Sequence, residues 1–305
     1  MKSFFLFSVA IIFSAIATAQ TSGFAKSPGT KIYYRTWGVG IPLLIINGGP
    51  GLNSDGFAEL AKTLSAHNQT IIYDQRGTGK SVMEKIDSTT MTMSLMVEDM
   101  ENLRKKLNID NWIILGHSFG GMLASYYATM HPQHIISLIL SSSGGIDLEL
   151  MSYAGNNINS KLTKRQLDAV NYWAKQIADG DTTYNAKLKR AQALAPAYLY
   201  DKKNVPLIAA RLTQTNSEVN NFIWQDLQKI HFDCAPGLLN FNKPVLIIQG
   251  KQDIVEEKTA QKAHRAFSNS RVVLLDKCVH YGWLDRREAY FAEVEKFIAE
   301  SPKTN

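Results

Sequence analysis

Trp112-Ile113-Ile114-Leu115-Gly116-His117-Ser118-Phe119-Gly120-Gly121 is the stretch that decides the fold. Its first four residues are an apolar run of the kind a strand buried on both faces requires. Gly116 to Gly120 then fits the pattern Gly-x-Ser-x-Gly, and residues 122–130 continue at helical spacing. Strand, tight turn and helix in that order push a serine hydroxyl clear of a sheet edge. Glycines flank the serine because only residues without a β-carbon let the chain turn so sharply beside it. The pentapeptide alone is a weak signal, but in this context it marks Ser118 as a nucleophile.

Outward from this turn, short β-rich runs alternate with longer helical ones, the pattern of a mostly parallel sheet covered by helices. Strands are expected at 31–37, 42–47, 70–73, 112–115, 135–141, 244–249 and 271–275, and helices at 56–65, 94–107, 122–130, 257–266 and 287–299. Residues 145–239 break the alternation. Leu162, Leu167, Val170, Trp173 and Ile177 recur at helical spacing there, 217–228 reads as a further amphipathic helix, and no strand is evident. The stretch is expected to be a helical cap inserted between a first core part, 20–144, and a second, 240–305.

A serine hydroxyl needs a base within hydrogen-bond reach, and the base needs a partner that holds its tautomer. In sheets of this type the chain order is Ser, then Asp or Glu, then His. Asp253 follows the strand at 244–249 and His280 follows the strand at 271–275, so both fall at the strand ends where open α/β sheets bind ligands. Asp147 also follows a strand, 135–141, but it falls at the entry to the helical insertion, so Asp253 is the preferred acid. His117, beside the nucleophile, is expected to pack or hydrogen bond.

Asn47-Gly48-Gly49-Pro50-Gly51 follows the strand at 42–47 and can bring a backbone N–H against a developing oxyanion, with the N–H of Phe119 as second donor. Asp74-Gln75-Arg76-Gly77-Thr78-Gly79-Lys80-Ser81 ends like a nucleotide-binding loop. The glycine required five positions before Gly79 is Asp74, however, so ATP binding is not supported.

At the N-terminus, Lys2, an apolar run from Phe4 to about Ala17 and Ala17-Thr18-Ala19 follow the order of a secretory signal peptide. The run is shorter than the ~20 residues a membrane-spanning helix needs. Residues 1–19 are thus expected to be removed, leaving a secreted or periplasmic protein without stable membrane insertion. The net charge of +6 is spread along the chain without a run of like charges, which argues against a nucleic-acid partner. Cys234 and Cys278 are the only cysteines, and free thiols are expected. Neither they nor His131 and His134 offer zinc spacing, so no metal and no cofactor is expected.

Together these segments resemble the proline iminopeptidase family of α/β-hydrolases. The family pattern is a His-Gly-Gly-Pro-Gly loop, an Asp-Gln-Arg-Gly-x-Gly-x-Ser segment, a Gly-x-Ser-x-Gly-Gly elbow, and a late Asp and His. Here the corresponding residues are Asn47 to Gly51, Asp74 to Ser81, Gly116 to Gly121, Asp253 and His280. The resemblance implies an α/β-hydrolase fold with a helical cap, and Gly49 with Phe119 as oxyanion donors. It departs at Asn47, where the family has histidine, and in the acidic groups that hold the substrate's free amine. The cap lacks the family's Trp-Glu pair, and Ile254 stands where some members carry glutamate after the aspartate. Setting Glu149 aside at the cap's entry, Glu218 is the glutamate in the position the resemblance favours for substrate binding.

The function expected is a serine hydrolase that releases an N-terminal residue, proline among them, from short peptides through an acyl-enzyme. An esterase, lactonase or amidase on the same residues is the alternative, because fold and triad do not fix the substrate. A degenerate homologue that only binds a small molecule is a third possibility. Halide or epoxide chemistry on this fold generally uses an aspartate nucleophile, and the elbow presents Ser118.

Overall fold

The computed structural model describes residues 20–302, so the leader read at 1–19 lies outside the described residues. The strands are β1 (Thr21–Ser27), β2 (Thr30–Trp37), β3 (Ile41–Ile46), β4 (Asn68–Tyr73), β5 (Trp112–His117), β6 (Ile135–Ser141), β7 (Val245–Gly250) and β8 (Ser270–Leu275). They form one eight-stranded sheet in the order β1-β2-β4-β3-β5-β6-β7-β8. β2 is antiparallel to both β1 and β4, and every neighbouring pair from β4 to β8 is parallel.

Every residue of β5, β6 and β7 is buried, which explains why these strands read as continuous apolar runs. Their side chains alternate between two cores, one on each face. Leu43, Ile45, Ile113 and Leu115 pack with Leu60 and Leu64 of the helix Ala58–Leu64 and with Val294 and Ile298 of Arg287–Glu300. Leu44, Ile46 and Ile114 face Met100 of Met93–Lys106, Leu123 of Phe119–Met130 and Ala263 of Glu257–Ala266.

The seven strands expected from sequence are present, with ends that move by a residue or two. β1 was not anticipated. It is an edge strand in which only Ala25 is buried, so it carries no apolar alternation, and its ladder of seven residue pairs with β2 is a backbone property. Between β6 and β7 the chain forms helices and turns, including Ala154–Ser160, Lys164–Ala178, Tyr184–Leu194, Val205–Leu212 and Ser217–Lys229. This helical insertion is tied to the sheet domain by Asp226, which accepts a hydrogen bond from the N–H of Met93, 2.8 Å away. A carboxylate thereby satisfies a free N–H in the first turn of Met93–Lys106 and meets the positive end of its dipole.

Strand order reverses at β3. The chain goes from β3 to β4 on one side and then returns to place β5 on the other, so the loops leaving β3 and β5 open a crevice between them. Ile46 and Gly116 are paired across that boundary, which brings the Asn47–Gly51 loop beside Ser118.

Candidate active site

Ser118 joins β5 to the helix Phe119–Met130 with φ 55° and ψ −122°, a conformation an ordinary residue adopts only when its surroundings enforce it. Close approach of the backbone enforces it here. A β-carbon on Gly116 would lie 2.3 Å from the carbonyl oxygen of Gly120, and one on Gly120 would lie 2.3 Å from that of Ile46. The Ser118 N–H donates to the carbonyl of Ser141 at 3.1 Å, and the Ser118 carbonyl accepts from Gly121 and Gly144. Phe119 is the first helical residue, and its N–H has no acceptor within the helix.

The Asn47–Gly51 loop runs directly alongside. A β-carbon on Gly48 would approach that of Ser118 to 2.6 Å, and Gly49 adopts φ 72°. Several groups hold the loop, among them the N–H of Asn216 on the Gly51 carbonyl and Asn220 on the Pro50 carbonyl, both at 2.8 Å. Asn47 donates from Nδ2 to the carbonyl of Leu52 at 2.9 Å, so this side chain closes the loop from within. Gln75 donates to the carbonyl of Asn47 at 2.9 Å. Arg211, from the inserted helix Val205–Leu212, donates from Nη2 to the carbonyl of Gly48 at 3.0 Å.

Gln75 belongs to the segment that resembles a nucleotide-binding loop, and its neighbours show what that segment does. Asp74 accepts from the N–H and hydroxyl of Ser54 and from the N–H of Lys80. Arg76 makes a bidentate pair with Asp99, both distances 2.7 Å, in which both side chains are buried. The segment is a buried brace beneath the loop.

His280 and Asp253 leave the ends of β8 and β7. His280 Nδ1 lies 2.8 Å from Asp253 Oδ1, an oxygen that also accepts from the N–H of Ile254 at 2.6 Å and of Val255 at 3.3 Å. Gly250 lets the two loops meet, since a β-carbon there would lie 2.3 Å from the carbonyls of Cys278 and Val279. Asp147 is elsewhere: it is ion-paired with Lys262. Tyr198 of the insertion accepts the N–H of His280 on its carbonyl at 3.1 Å and sets its ring 5.7 Å from the imidazole. His117 packs 4.7 Å from the His280 ring and edge-on to Trp283. Burial, and then the charges of His280 and Arg211, hold His117 well below the ordinary histidine pKa, so it is a neutral packing group at pH 7. Cys278 and Cys234 are buried free thiols whose pKa burial pushes up.

Ser118, His280, Gly48 and Gly49 line one cavity of about 600 Å³, roofed by the insertion. One wall is apolar, with Ile158, Ala174, Ile177 and Ile254. Another carries Thr213, Thr215, Asn220 and Asn221. Two cations also line it, Lys187 and Arg190, and among the described residues no carboxylate does. Glu218, expected from the resemblance to bind substrate, does not line this cavity. It is exposed in the first turn of Ser217–Lys229, where Asn216 accepts its N–H. Helical rotation turns its neighbour Val219 into the core and leaves the carboxylate in solvent.

Arg211, Tyr198, Lys187 and Arg190 were not anticipated from sequence. For Arg211 a signal existed: it is the only charged residue in the otherwise apolar helix Val205–Leu212.

An elbow serine, a buried histidine–carboxylate pair and a glycine loop at the switch point of a parallel sheet together define a hydrolase site on an α/β-hydrolase scaffold. The chain belongs to the α/β-hydrolase fold family, whose model matches residues 41–286. It is similar to the proline iminopeptidase of Heyndrickxia coagulans, 25% identical over 91% of this chain and 98% of that protein. It is likewise similar to the proline iminopeptidase of Saccharolobus solfataricus, 28% identical over 90% of this chain and 91% of that one. Among solved structures, the esterase RhEst1 from Rhodococcus superposes with a TM-score of 0.73 at 19% identity, covering 92% of this chain and 99% of that one, a likeness of fold.

Proposed function

We propose that this protein is a serine hydrolase that works through an acyl-enzyme and releases the N-terminal residue, proline among them, of short peptides. The observation that carries the hydrolase assignment is a strained elbow serine facing the same cavity as a histidine whose Nδ1 is held by a buried carboxylate. Ser118 Oγ attacks the scissile carbonyl while His280 Nε2 takes its proton. Asp253 keeps the other ring nitrogen protonated and stabilises the imidazolium. The N–H groups of Gly49 and Phe119 receive the oxyanion, which is where fixed donors in a site with little water act most strongly. His280 then returns the proton to the leaving amine, and water repeats the sequence to free the acid. Similarity to proline iminopeptidases along most of the chain supports the aminopeptidase activity.

One observation favours a second reading, an esterase, lactonase or amidase. Among the described residues no carboxylate lines the cavity, so no acidic side chain of theirs meets a free α-amine there. Rates on Pro-arylamide, N-acetyl-Pro-arylamide and a simple aryl ester separate the two. An aminopeptidase cleaves the unblocked amide at least about 10-fold faster than the blocked one, the effect of one charge-assisted hydrogen bond. Equal rates on both amides, or cleavage of the ester alone, overturn that activity in favour of the second reading.

A further inference from the structure

The helix Tyr184–Leu194 lays Lys187, Arg190 and Leu194 along one side, spaced three and four residues apart, and all three line the cavity that holds Ser118. Both cations are half-buried, and neither has an ion-pair or hydrogen-bond partner among the described residues. The helix has no acidic residue, and the acids of the adjoining helix and its C-cap are engaged elsewhere, Asp168 with Lys164 and Asp179 with Lys175. Arg190 is close enough to Tyr198 for its charge to oppose the rise that burial imposes on the phenol, and Tyr198 packs on His280. Lys187 and Arg190 thus share one cavity with Tyr198 and His280. At 1.5 Å per residue, Arg190 and Lys187 stand about 6 and 10 Å along the helix axis from Leu194.

Half-buried cations without counter-ions, facing an apolar wall, are a poor environment for a substrate ammonium and a good one for an anion. Arginine in particular takes a carboxylate through two parallel hydrogen bonds. We propose that Lys187 and Arg190 bind a carboxylate that the substrate carries at the end remote from its scissile carbonyl, with the apolar wall taking the carbon skeleton between. The proposal deepens the hydrolase reading of Ser118 and rests on it. Two sources share this chemistry: the C-terminal carboxylate of a di- or tripeptide, on the leaving group, and a terminal carboxylate on the acyl chain of an ester.

Matched substrate pairs distinguish them. One pair is Pro-Ala and Pro-Ala-amide; the other is p-nitrophenyl hydrogen glutarate and its methyl ester, with p-nitrophenyl butyrate as neutral reference. In at least one pair the acid is expected to be preferred by roughly 10- to 100-fold in kcat/KM, chiefly through KM, and the pair that shows the preference identifies the source. The double variant Lys187→Met, Arg190→Gln brings that ratio to about 1 and lowers turnover of the acid far more than that of p-nitrophenyl butyrate, while added salt narrows the ratio in the parent. If both ratios are near 1 while p-nitrophenyl butyrate is still hydrolysed, the carboxylate site is refuted and the hydrolase stands. If nothing is hydrolysed, the hydrolase reading fails, and calorimetry of 4-phenylbutyrate against 4-phenylbutanamide still decides the site: at least 10-fold tighter binding of the acid supports it, and equal or absent binding refutes it.

Discussion

Arg211 donates to the carbonyl of Gly48 at 3.0 Å across 163 positions of sequence, and in doing so ties the helical insertion to the loop beside Ser118. A peptide group is planar, so fixing the Gly48 carbonyl also fixes the direction of the Gly49 N–H on the other side of the same bond. Burial lowers the Arg211 pKa, and no carboxylate lies within ion-pair distance of it among the described residues. The surroundings that favour the charge include the loop carbonyls of Gly48 and Asn53, the face of Phe57 at 4.8 Å from the guanidinium, Tyr281 and the more distant Asp55.

In the proposed mechanism, where the Gly49 N–H receives the oxyanion, Arg211 is a positioning residue for that donor. Arg211→Met is expected to lower kcat by roughly 10- to 100-fold with little change in KM, less than the loss of a donor itself. Arg211→Lys should recover part of the rate. Steady-state kinetics on an aryl ester make the measurement, and a change confined to KM would assign Arg211 to substrate binding.

The acid can be tested by comparing two aspartates that both follow strands. Asp253→Asn leaves the geometry in place but favours the wrong imidazole tautomer, and a loss of about 10⁴ in kcat is expected by analogy with serine proteases. Asp147→Asn removes the ion pair with Lys262 but keeps an oxygen to accept the Glu149 N–H, so activity should stay within about 2-fold. The reverse ranking would move the acid to Asp147.

Stability should depend on the brace beneath the Asn47–Gly51 loop. Arg76→Leu strands the buried carboxylate of Asp99, whose pKa burial already raises against the pull of Arg76. A loss of about 3–5 kcal/mol in urea unfolding is expected, and Arg76→Leu combined with Asp99→Leu should regain most of it. Equal loss in the single and double variants would show that packing, and not the stranded charge, is responsible.

His117 sets a slope on the acid side. Its folded pKa lies below its unfolded value of about 6.5, so the unfolded chain takes up the proton first. Its contribution to stability is full above pH 6.5 and is lost as the pH falls toward the folded value, by at most about 1.4 kcal/mol per pH unit. His131 is shifted in the same direction and adds to the slope. His117→Gln should flatten the fall of the urea midpoint below pH 6.5, and an unchanged profile would contradict this.

Sequence carried the sheet and the elbow well because their signals are local. β5 and β6 are buried on both faces and read as apolar runs, and the glycines around Ser118 are demanded by backbone approaches of 2.3 Å. What sequence did not carry was long-range or weakly apolar. β1 is held by its ladder with β2, and Arg211 and Tyr198 reach the site from an insertion whose placement no local pattern encodes. Glu218 was favoured by resemblance, but the phase of its helix, anchored by buried Val219, Ile223 and Leu227, points it to solvent.

A fluorophosphonate probe reports whether Ser118 is the nucleophile, with aryl ester turnover measured on the same samples. The parent protein should take up one equivalent of probe and lose activity in proportion. Ser118→Ala should fold with an unchanged urea midpoint, take up no probe and retain at most the residual enhancement of binding and oxyanion donors, on the order of 10³ over water. Labelling of Ser118→Ala, or turnover close to that of the parent, would rule Ser118 out as the nucleophile.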